Sequence, residues 1–304
     1  MKSLSHFFTY LIVRFVVNLF KLVPFWLLYA ISDGLYWLQI HVVKYRFKVV
    51  QTNIKHAFPN IGDAELEQKV NAFWKHFCDI TLESLKGYGM SKKALQERMQ
   101  IDPNDYQDLT ELYAKYHALV GSLGHLGNWE WAVIEAANAV DKRVIGFYRP
   151  LTNQLVERYI RKKTYDPRLI FLSVKHTQEA FAKYSQDGVD SVFMLISDQS
   201  PSSTKNAIWV NFLNQPTACL HGAEKYARIH KLPLVYFRIV RVARGYYRAG
   251  CQVLCEQPHL LPEGEPTRLY MKALEADIYK RPDQWLWSHK RWKLEPEPNQ
   301  TILN

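Results

Sequence analysis

Hydrophobic and polar positions divide the chain into three regions. Residues 7–31 are almost continuously apolar, and residues 41 to about 95 mix apolar with basic or polar positions at helical spacing. From residue 117 short apolar runs alternate with single helical patterns, which is the pattern of βαβ units and a mostly parallel sheet. We therefore expect an α/β fold: a mostly parallel central sheet flanked by helices, with an N-terminal membrane-associated helical segment.

The alternating region predicts individual elements. Strands are expected at 117–123, 142–148, 168–174 and 189–197, and a hairpin at 233–244 and 246–256 around Gly245. Helices are expected at 128–140, 153–163, 177–188, 219–230 and 267–280, and an earlier one with Asp63 as its N-cap. Residues 200–212 are expected to be a loop. Without repeats or low-complexity linkers, the organisation expected is a membrane-associated segment over 1–45 and one further domain over 46–304.

The apolar N-terminal run is not a simple membrane span. Arg14, Asn18 and Lys21 fall on one helical face, and Pro24 interrupts the run. A basic residue near the middle of a span is costly, whereas a helix in the interface keeps such a face in water. We favour an interfacial helix, with a tilted span or a pair of core helices as alternatives. A cleaved signal peptide is disfavoured because Arg14 interrupts the apolar region early.

Composition narrows the partners and the compartment. A chain of 304 residues that is 48% hydrophobic and 14% aromatic is a folded protein. A formal charge of +10 suits an anionic partner, which means nucleic acid, an anionic membrane surface or an acidic carrier protein. Nucleic acid is disfavoured because the basic residues are dispersed instead of forming one stripe. The four cysteines form no C-x-x-C pair, which favours reduced thiols and a protein that faces the cytosol.

The stretch GSLGHLGNWEWA, residues 121–132, carries candidate chemistry. His125 follows the first buried strand, at the sheet edge where sites of open α/β folds lie. Glu130 follows five residues later, so the two side chains can meet only if His125 lies in a loop before the helix. Gly124 and Gly127 permit such a loop, and Asn128 is a good N-cap for the helix.

A His–carboxylate pair of this kind can act as a general base, because the carboxylate fixes the imidazole tautomer and stabilises its cation. The chain has no G-x-S-x-G motif, so the base would activate a hydroxyl of the substrate. A structural loop histidine with an ordinary first-turn acid is the alternative interpretation. The H-x4-E spacing disfavours a zinc site, and no metal or cofactor is expected.

The same stretch resembles the H-x4-D/E motif of the lysophospholipid acyltransferase superfamily, and specifically the late acyltransferases of lipid A biosynthesis. The resemblance extends from about Tyr45 to Lys293. Five further segments support it in the family's order: NIKHAFP at 53–59, FYRPLTN at 147–153, LISDQSP at 195–201, VNFLNQPTACLHGAEKYAR at 210–228 and RPDQWLWSHKRWK at 281–293.

The resemblance implies transfer of an acyl chain from a thioester, usually of acyl-carrier protein, to a hydroxyl of a membrane lipid. His125 would deprotonate that hydroxyl, Glu130 would hold His125, and no acyl-enzyme would form. A lipid A precursor is the acceptor expected, at the cytoplasmic face of the bacterial inner membrane. Substrate-binding roles are expected for residues near strand or helix ends: Arg149, Asn153, Asp198, Gln199 and Asn128. The alternatives are an exposed arginine at 149, a helix N-cap at 153 and a turn at 198–199. Arg149 would bind phosphate of the acceptor or of the carrier's phosphopantetheine.

Residues 261–270, LPEGEPTRLY, contain only an interrupted E-G-T-R motif and are expected to form a turn and a helix start; the absence of that motif elsewhere favours the lipid A branch. Two departures from the family pattern leave the acceptor more open than the chemistry. The arginine often found late in the helix after Y-R-P has no single counterpart, since Arg161, Lys162 and Lys163 all stand there. FLNQP replaces a commoner Phe-Gly turn.

Three alternatives remain at this stage. In the first two, the acceptor is a lysophospholipid or an amino-acid lipid. In the third, the chain is a catalytically silent lipid-binding protein with the same fold. The tryptophan-rich tail at 281–293 suits either a membrane interface or a lid packed on the sheet.

Overall fold

The computed structural model describes residues 2–163, 166–186 and 188–304. In these residues a seven-stranded sheet of order β1-β9-β8-β2-β5-β3-β4 forms the centre, and β6 and β7 form a separate hairpin. The strands are β1 (Met99–Ile101), β2 (Ala118–Leu123), β3 (Arg143–Tyr148), β4 (Leu169–Ser173), β5 (Ser191–Ile196), β6 (Ile208–Phe212), β7 (Gln215–Cys219), β8 (Leu234–Ala243) and β9 (Tyr246–Cys255).

Helices surround this sheet and precede it in the chain. They are α1 (Lys2–Leu22), α2 (Phe25–Leu38), α3 (Phe47–Ala57), α4 (Asp63–Gly87), α5 (Lys92–Gln96), α6 (Pro103–Lys115), α7 (Trp129–Ala139), α8 (Gln154–Lys163), α9 (Thr177–Tyr184), α10 (Gly222–Ile229) and α11 (Glu265–Lys280). A π-helical turn, Gln39–Val43, extends α2. The expected α/β class is confirmed.

The middle of the sheet is parallel and covered on both faces. Strands β8, β2, β5, β3 and β4 run in one direction, whereas β9 is antiparallel to β8 and β1 is parallel to β9. Every residue of β2 is buried. Leu119 packs with Val192 and Ala137 on one face, and Val120 packs with Phe193 and Ala227 on the other. A strand buried on both faces reads as a continuous apolar run, which is why the sequence predicted it.

The first helix lies along the globular body. At its end the Lys86 ammonium group contacts the carbonyl oxygens of Phe20 and Val23 at 3.2 and 2.5 Å. Near its start the Asn153 side chain donates to the carbonyl of His6 at 2.8 Å. Residues Leu4–Leu22 are long and apolar enough to cross a membrane, but only 6% of that stretch is buried in the protein. The outer face of α1 therefore presents apolar side chains, including Phe7, Phe8, Ile12, Phe15 and Leu19.

Several local expectations were wrong. Residues 208–212 are strand β6, not loop, and Leu213 and Asn214 turn the chain into β7 with φ of 51° and 63°. Helix α4 begins at Asp63, so its N-cap is Gly62, which has no side chain to offer. Helix α9 ends at Tyr184, so Gly188 does not follow it directly. Strand β1 and helix α6 were not predicted.

Candidate active site

The register of two neighbouring strands brings His125 and Asp198 together. In the parallel pair of β2 and β5, Leu123 lies opposite Ile196. His125 and Asp198 each follow two residues later, at the carboxyl end of the strand. Adjacent parallel strands lie about 4.8 Å apart, so side chains at equal distances beyond them can touch.

The two side chains form a close pair. The Nδ1 atom of His125 lies 2.7 Å from Oδ1 of Asp198. The other carboxylate oxygen, Oδ2, accepts from the backbone N–H of His125 and from Nε1 of Trp285, both at 2.8 Å. The Asp198 side chain is 2% exposed and that of His125 16% exposed. The carboxylate is thus fully occupied by donors, while one edge of the imidazole remains accessible.

The electrostatics of the pair favour the ionised carboxylate. Burial would raise the pKa of Asp198, but the His125 charge and three hydrogen bonds, two from His125 and one from Trp285, lower it to about 2. Burial would lower the pKa of His125, yet the charge and hydrogen bond of Asp198, with a contribution from Glu130, raise it above its ordinary value. Because a carboxylate at Nδ1 keeps the proton on that nitrogen, the Nε2 lone pair of the neutral ring is directed away from Asp198.

Two side chains flank the accessible edge of the imidazole. The Nε2 atom lies 3.2 Å from the side-chain amide nitrogen of Gln199. The ring of Trp129 stands edge-on to the imidazole with centroids 5.1 Å apart. A substrate that approaches Nε2 must therefore meet Gln199.

The C-terminal segment locks the loop that carries His125. The N–H of Leu286 donates to the carbonyl of His125 at 3.1 Å, and the N–H of Gly127 donates to the carbonyl of Gln284 at 3.0 Å. Trp285 and Trp287 are buried, so these two side chains fit the interpretation of the tail as a packed lid and are not available to a membrane interface. The residue missed by sequence reasoning is Trp285, whose contact to Asp198 no local spacing indicates.

Glycine is required in this loop for two different reasons. Gly127 has φ of +61°, and a Cβ atom there would lie 2.6 Å from the carbonyl oxygen of Ile239. Gly124 does not have a positive φ, but a Cβ atom would lie 2.9 Å from the Leu274 side chain and 3.3 Å from Asp198. The expectation of special dihedral angles therefore fits Gly127, whereas Gly124 provides space.

Glu130 does not make the contact expected of it. Its carboxylate accepts from the hydroxyl of Tyr88 at 3.3 Å, and the hydrogen bond to His125 belongs to Asp198. Glu130 is in the first turn of α7, whereas Nδ1 of His125 faces the neighbouring strand. The predicted His125–Glu130 hydrogen bond is therefore replaced by a pair that spans two strands.

Of the expected substrate-binding residues, two asparagines bind parts of the protein itself and Arg149 is exposed. Asn128 is buried, accepts from the N–H of Trp131 at 3.0 Å as the N-cap of α7, and donates to Glu83 at 2.7 Å. Asn153 caps α8 and contacts α1. The geometry gives these two asparagines structural roles. Arg149 is exposed just beyond β3, at the same sheet edge as His125, and makes no hydrogen bond or ion pair with the described residues.

A cavity of about 290 Å³ begins beside His125 and extends between α7 and the sheet. Glu130 and Trp129 line it next to His125, and apolar side chains form most of the remaining wall. Among these are Leu123, Val133, Ala136, Val144, Met194 and Phe237. A channel of this chemistry accepts a hydrocarbon chain with its reactive end at the imidazole.

Comparison with known families decides the class of protein. The family model described as bacterial lipid A biosynthesis acyltransferase matches residues 1–294. The chain belongs to this family. The resemblance drawn from the sequence motifs is thereby confirmed, and the match includes α1 and α2. A comparison with curated proteins found no significant match.

Membership of the lipid A biosynthesis acyltransferase family makes the chain an acyltransferase that acts on a lipid. The exposed apolar face of α1 is consistent with membrane association.

Proposed function

We propose that this lipid A acyltransferase moves a fatty acyl chain from the thioester of acyl-carrier protein to a hydroxyl of a lipid A precursor. His125 is the general base, oriented by Asp198. The observation that carries the proposal is the pair of His125 and Asp198, 2.7 Å apart, at the opening of an apolar cavity.

The geometry supports direct transfer. Asp198 holds the proton on Nδ1, so Nε2 takes the proton of the acceptor hydroxyl as its oxygen attacks the thioester carbonyl. The carbon–sulfur bond then breaks, and the proton on Nε2 passes to the departing thiolate. No protein nucleophile adjoins His125 among the described residues, and no acyl-enzyme forms.

Further residues at the same edge have proposed roles. Gln199 meets the acceptor hydroxyl at Nε2, because it occupies that position in the structure. Glu130 adds negative charge that favours the imidazolium formed during the reaction. Arg149 is an exposed cation suited to a phosphate of the acceptor or of the donor's phosphopantetheine.

We place α1 in the membrane interface on the cytoplasmic side. Its contacts with Asn153 near one end and Lys86 at the other hold it against the body while its apolar face stays outward. A net charge of +10 favours both an anionic membrane surface and an acidic carrier protein.

The pH dependence follows from the direction of the His125 pKa. Since the folded pKa is raised, the neutral base is lost as pH falls through a value above the ordinary 6.5 or so. We expect kcat/KM to decline on the acid side with a midpoint above that value, in a pH series of initial rates. A midpoint at or below about 6 would contradict the pairing with an ionised Asp198.

The cavity predicts a change in chain-length preference. Ala136 lines its wall, so Ala136→Phe should fill part of it and lower kcat/KM for long acyl donors by about tenfold, while short donors react normally. Rates with a series of acyl-carrier proteins of different chain length measure this. Ala182→Phe, at an exposed position on α9, is the matched control. An equal loss for all chain lengths would argue against the cavity as the acyl site.

The experiment that tests the whole proposal is acyl transfer in detergent with labelled acyl-carrier protein and a panel of acceptors. The panel holds an under-acylated lipid A precursor, lysophospholipids and amino-acid lipids, each also incubated with His125→Ala. Transfer to the precursor that depends on His125 supports the proposal. Transfer to another lipid that depends on His125 would change the acceptor and keep the mechanism, and no transfer to any acceptor would contradict acyl-carrier protein as the donor or the chain as an active enzyme.

A further inference from the structure

A buried carboxylate connects the catalytic loop to the second helix. The Glu83 side chain on α4 has no solvent exposure. It accepts hydrogen bonds from Asn128 at 2.7 Å, Tyr247 at 2.6 Å and Tyr29 at 2.9 Å. These donors belong to the start of α7, to β9 and to α2, so one carboxylate joins three parts of the fold.

Glu83 holds the start of α7 at two points. Its side chain binds the N-cap Asn128, and its backbone carbonyl accepts from Nε1 of Trp131 at 2.8 Å. His125 lies three residues before Asn128. The orientation of the loop that carries the imidazole therefore depends on contacts made by Glu83.

Helix α2 is fitted closely to the same face of α4. One turn before Glu83, the buried Asp79 accepts from Ser32 of α2 at 2.6 Å and from Arg244 at 2.6 Å. A Cβ atom on Gly245, in the turn between β8 and β9, would lie only 2.0 Å from the Tyr29 hydroxyl oxygen. Tyr29 therefore has little freedom to move without losing its contact to Glu83.

The other side of α2 faces outward and is apolar. Trp26 is 73% exposed and Trp37 is 58% exposed. The helix thus has an outer surface suited to a lipid interface, and Tyr29, which lies beside that surface, supplies a donor to Glu83.

We propose that Glu83 is a positioning residue, which couples the seating of α2 to the placement of His125 through Tyr29 and Asn128. This inference rests on the proposed role of His125 as the base. If α2 shifts, the fully buried Glu83 loses one of its three side-chain donors, and its hydrogen bonds to Asn128 and Tyr247 must readjust. No residue of α2 lines the acyl cavity, so a shift of α2 should leave substrate binding unchanged while turnover falls.

The test removes single hydroxyl groups from α2. In Tyr29→Phe we expect kcat to fall about tenfold, with KM for donor and acceptor changed less than about twofold and vesicle binding unchanged. Tyr36→Phe is the matched control, because Tyr36 is on the same helix and makes no hydrogen bond through its side chain to the described residues. It should behave as the wild type. Glu83→Gln keeps the size of the side chain and should also lower kcat selectively.

A second measurement does not depend on activity. The imidazole signals of His125 in the full chain, assigned with His125→Ala in nitrogen-15 histidine spectra, should shift in Tyr29→Phe but not in Tyr36→Phe. The inference would be overturned if Tyr29→Phe changed neither kcat nor the His125 signals. It would also be overturned if Tyr29→Phe lowered kcat and raised KM by similar factors. If the wild type transfers no acyl chain, the proposed function fails, and the spectra alone decide whether Tyr29 positions His125.

Discussion

Replacing His125 with alanine is expected to lower kcat for acyl transfer about 10³-fold. The variant loses the only group placed to take the proton of the acceptor hydroxyl in the proposed mechanism. The side chain is only 16% exposed and pairs with the buried Asp198, so the variant should also lose some stability, whereas membrane binding through the apolar face of α1 should stay close to normal. Initial rates of label transfer, with thermal unfolding and vesicle sedimentation beside them, measure each part of this expectation.

The chain offers a matched control for this variant. His117 and Asp190 directly precede the same two strands, β2 and β5, and form a second His–Asp pair 3.2 Å apart. That pair lies at the amino ends of the strands, and His117 is 71% exposed. His117→Ala should retain full activity. Near-normal transfer by His125→Ala would show that the base has been assigned wrongly.

Asp198→Asn should be nearly as damaging, with kcat lowered about 10³-fold. Two donors, the N–H of His125 and Nε1 of Trp285, converge on Oδ2. They hold the amide oxygen of the asparagine there, so its NH₂ group faces Nδ1 of His125. That nitrogen must then accept, the ring proton moves to Nε2, and the base has no free lone pair. Rates and the histidine nitrogen-15 spectrum, which reports the tautomer, test both statements.

Comparison with Glu130→Gln distinguishes the two carboxylates. Glu130 affects His125 only through its charge, so this variant should lose less than about tenfold in kcat. Asp190→Asn is the control for the change from acid to amide, and it should leave kcat unchanged. An inactive Glu130→Gln beside an active Asp198→Asn would restore the role that the sequence alone gives to Glu130.

The sequence was sufficient to predict His125 but not its partner. An apolar run that ends in glycine and histidine places the imidazole at the carboxyl end of a strand. Asp198 also follows an apolar run, and sequence reasoning included it among the substrate-binding residues. What the pattern does not contain is the order of strands, and only the adjacency of β2 and β5 brings residues 73 positions apart together. Trp285 was missed for the same reason.

The errors in the fold have local causes. The hairpin of β6 and β7 turns through Leu213 and Asn214, both with positive φ. The usual signal for such a turn is Asn-Gly or Asp-Gly, because glycine adopts positive φ without strain. A leucine at this position gives no such signal, so the flanking residues look like a loop. The parallel strands were predictable because a strand that is buried on both faces has an uninterrupted run of apolar residues.

The anchoring of residues 125–127 by residues 284–286 has a consequence for biosynthesis. The ribosome completes β2 and the histidine loop long before it adds Trp285, so a nascent chain already at the membrane lacks the indole that binds Asp198. A chain that lacks residues 285–304 would lose the indole that binds Asp198 and the N–H of Leu286 that donates to the carbonyl of His125. In the proposed mechanism, the base would therefore be fixed only after residues 284–286 have been synthesised and have packed against the loop.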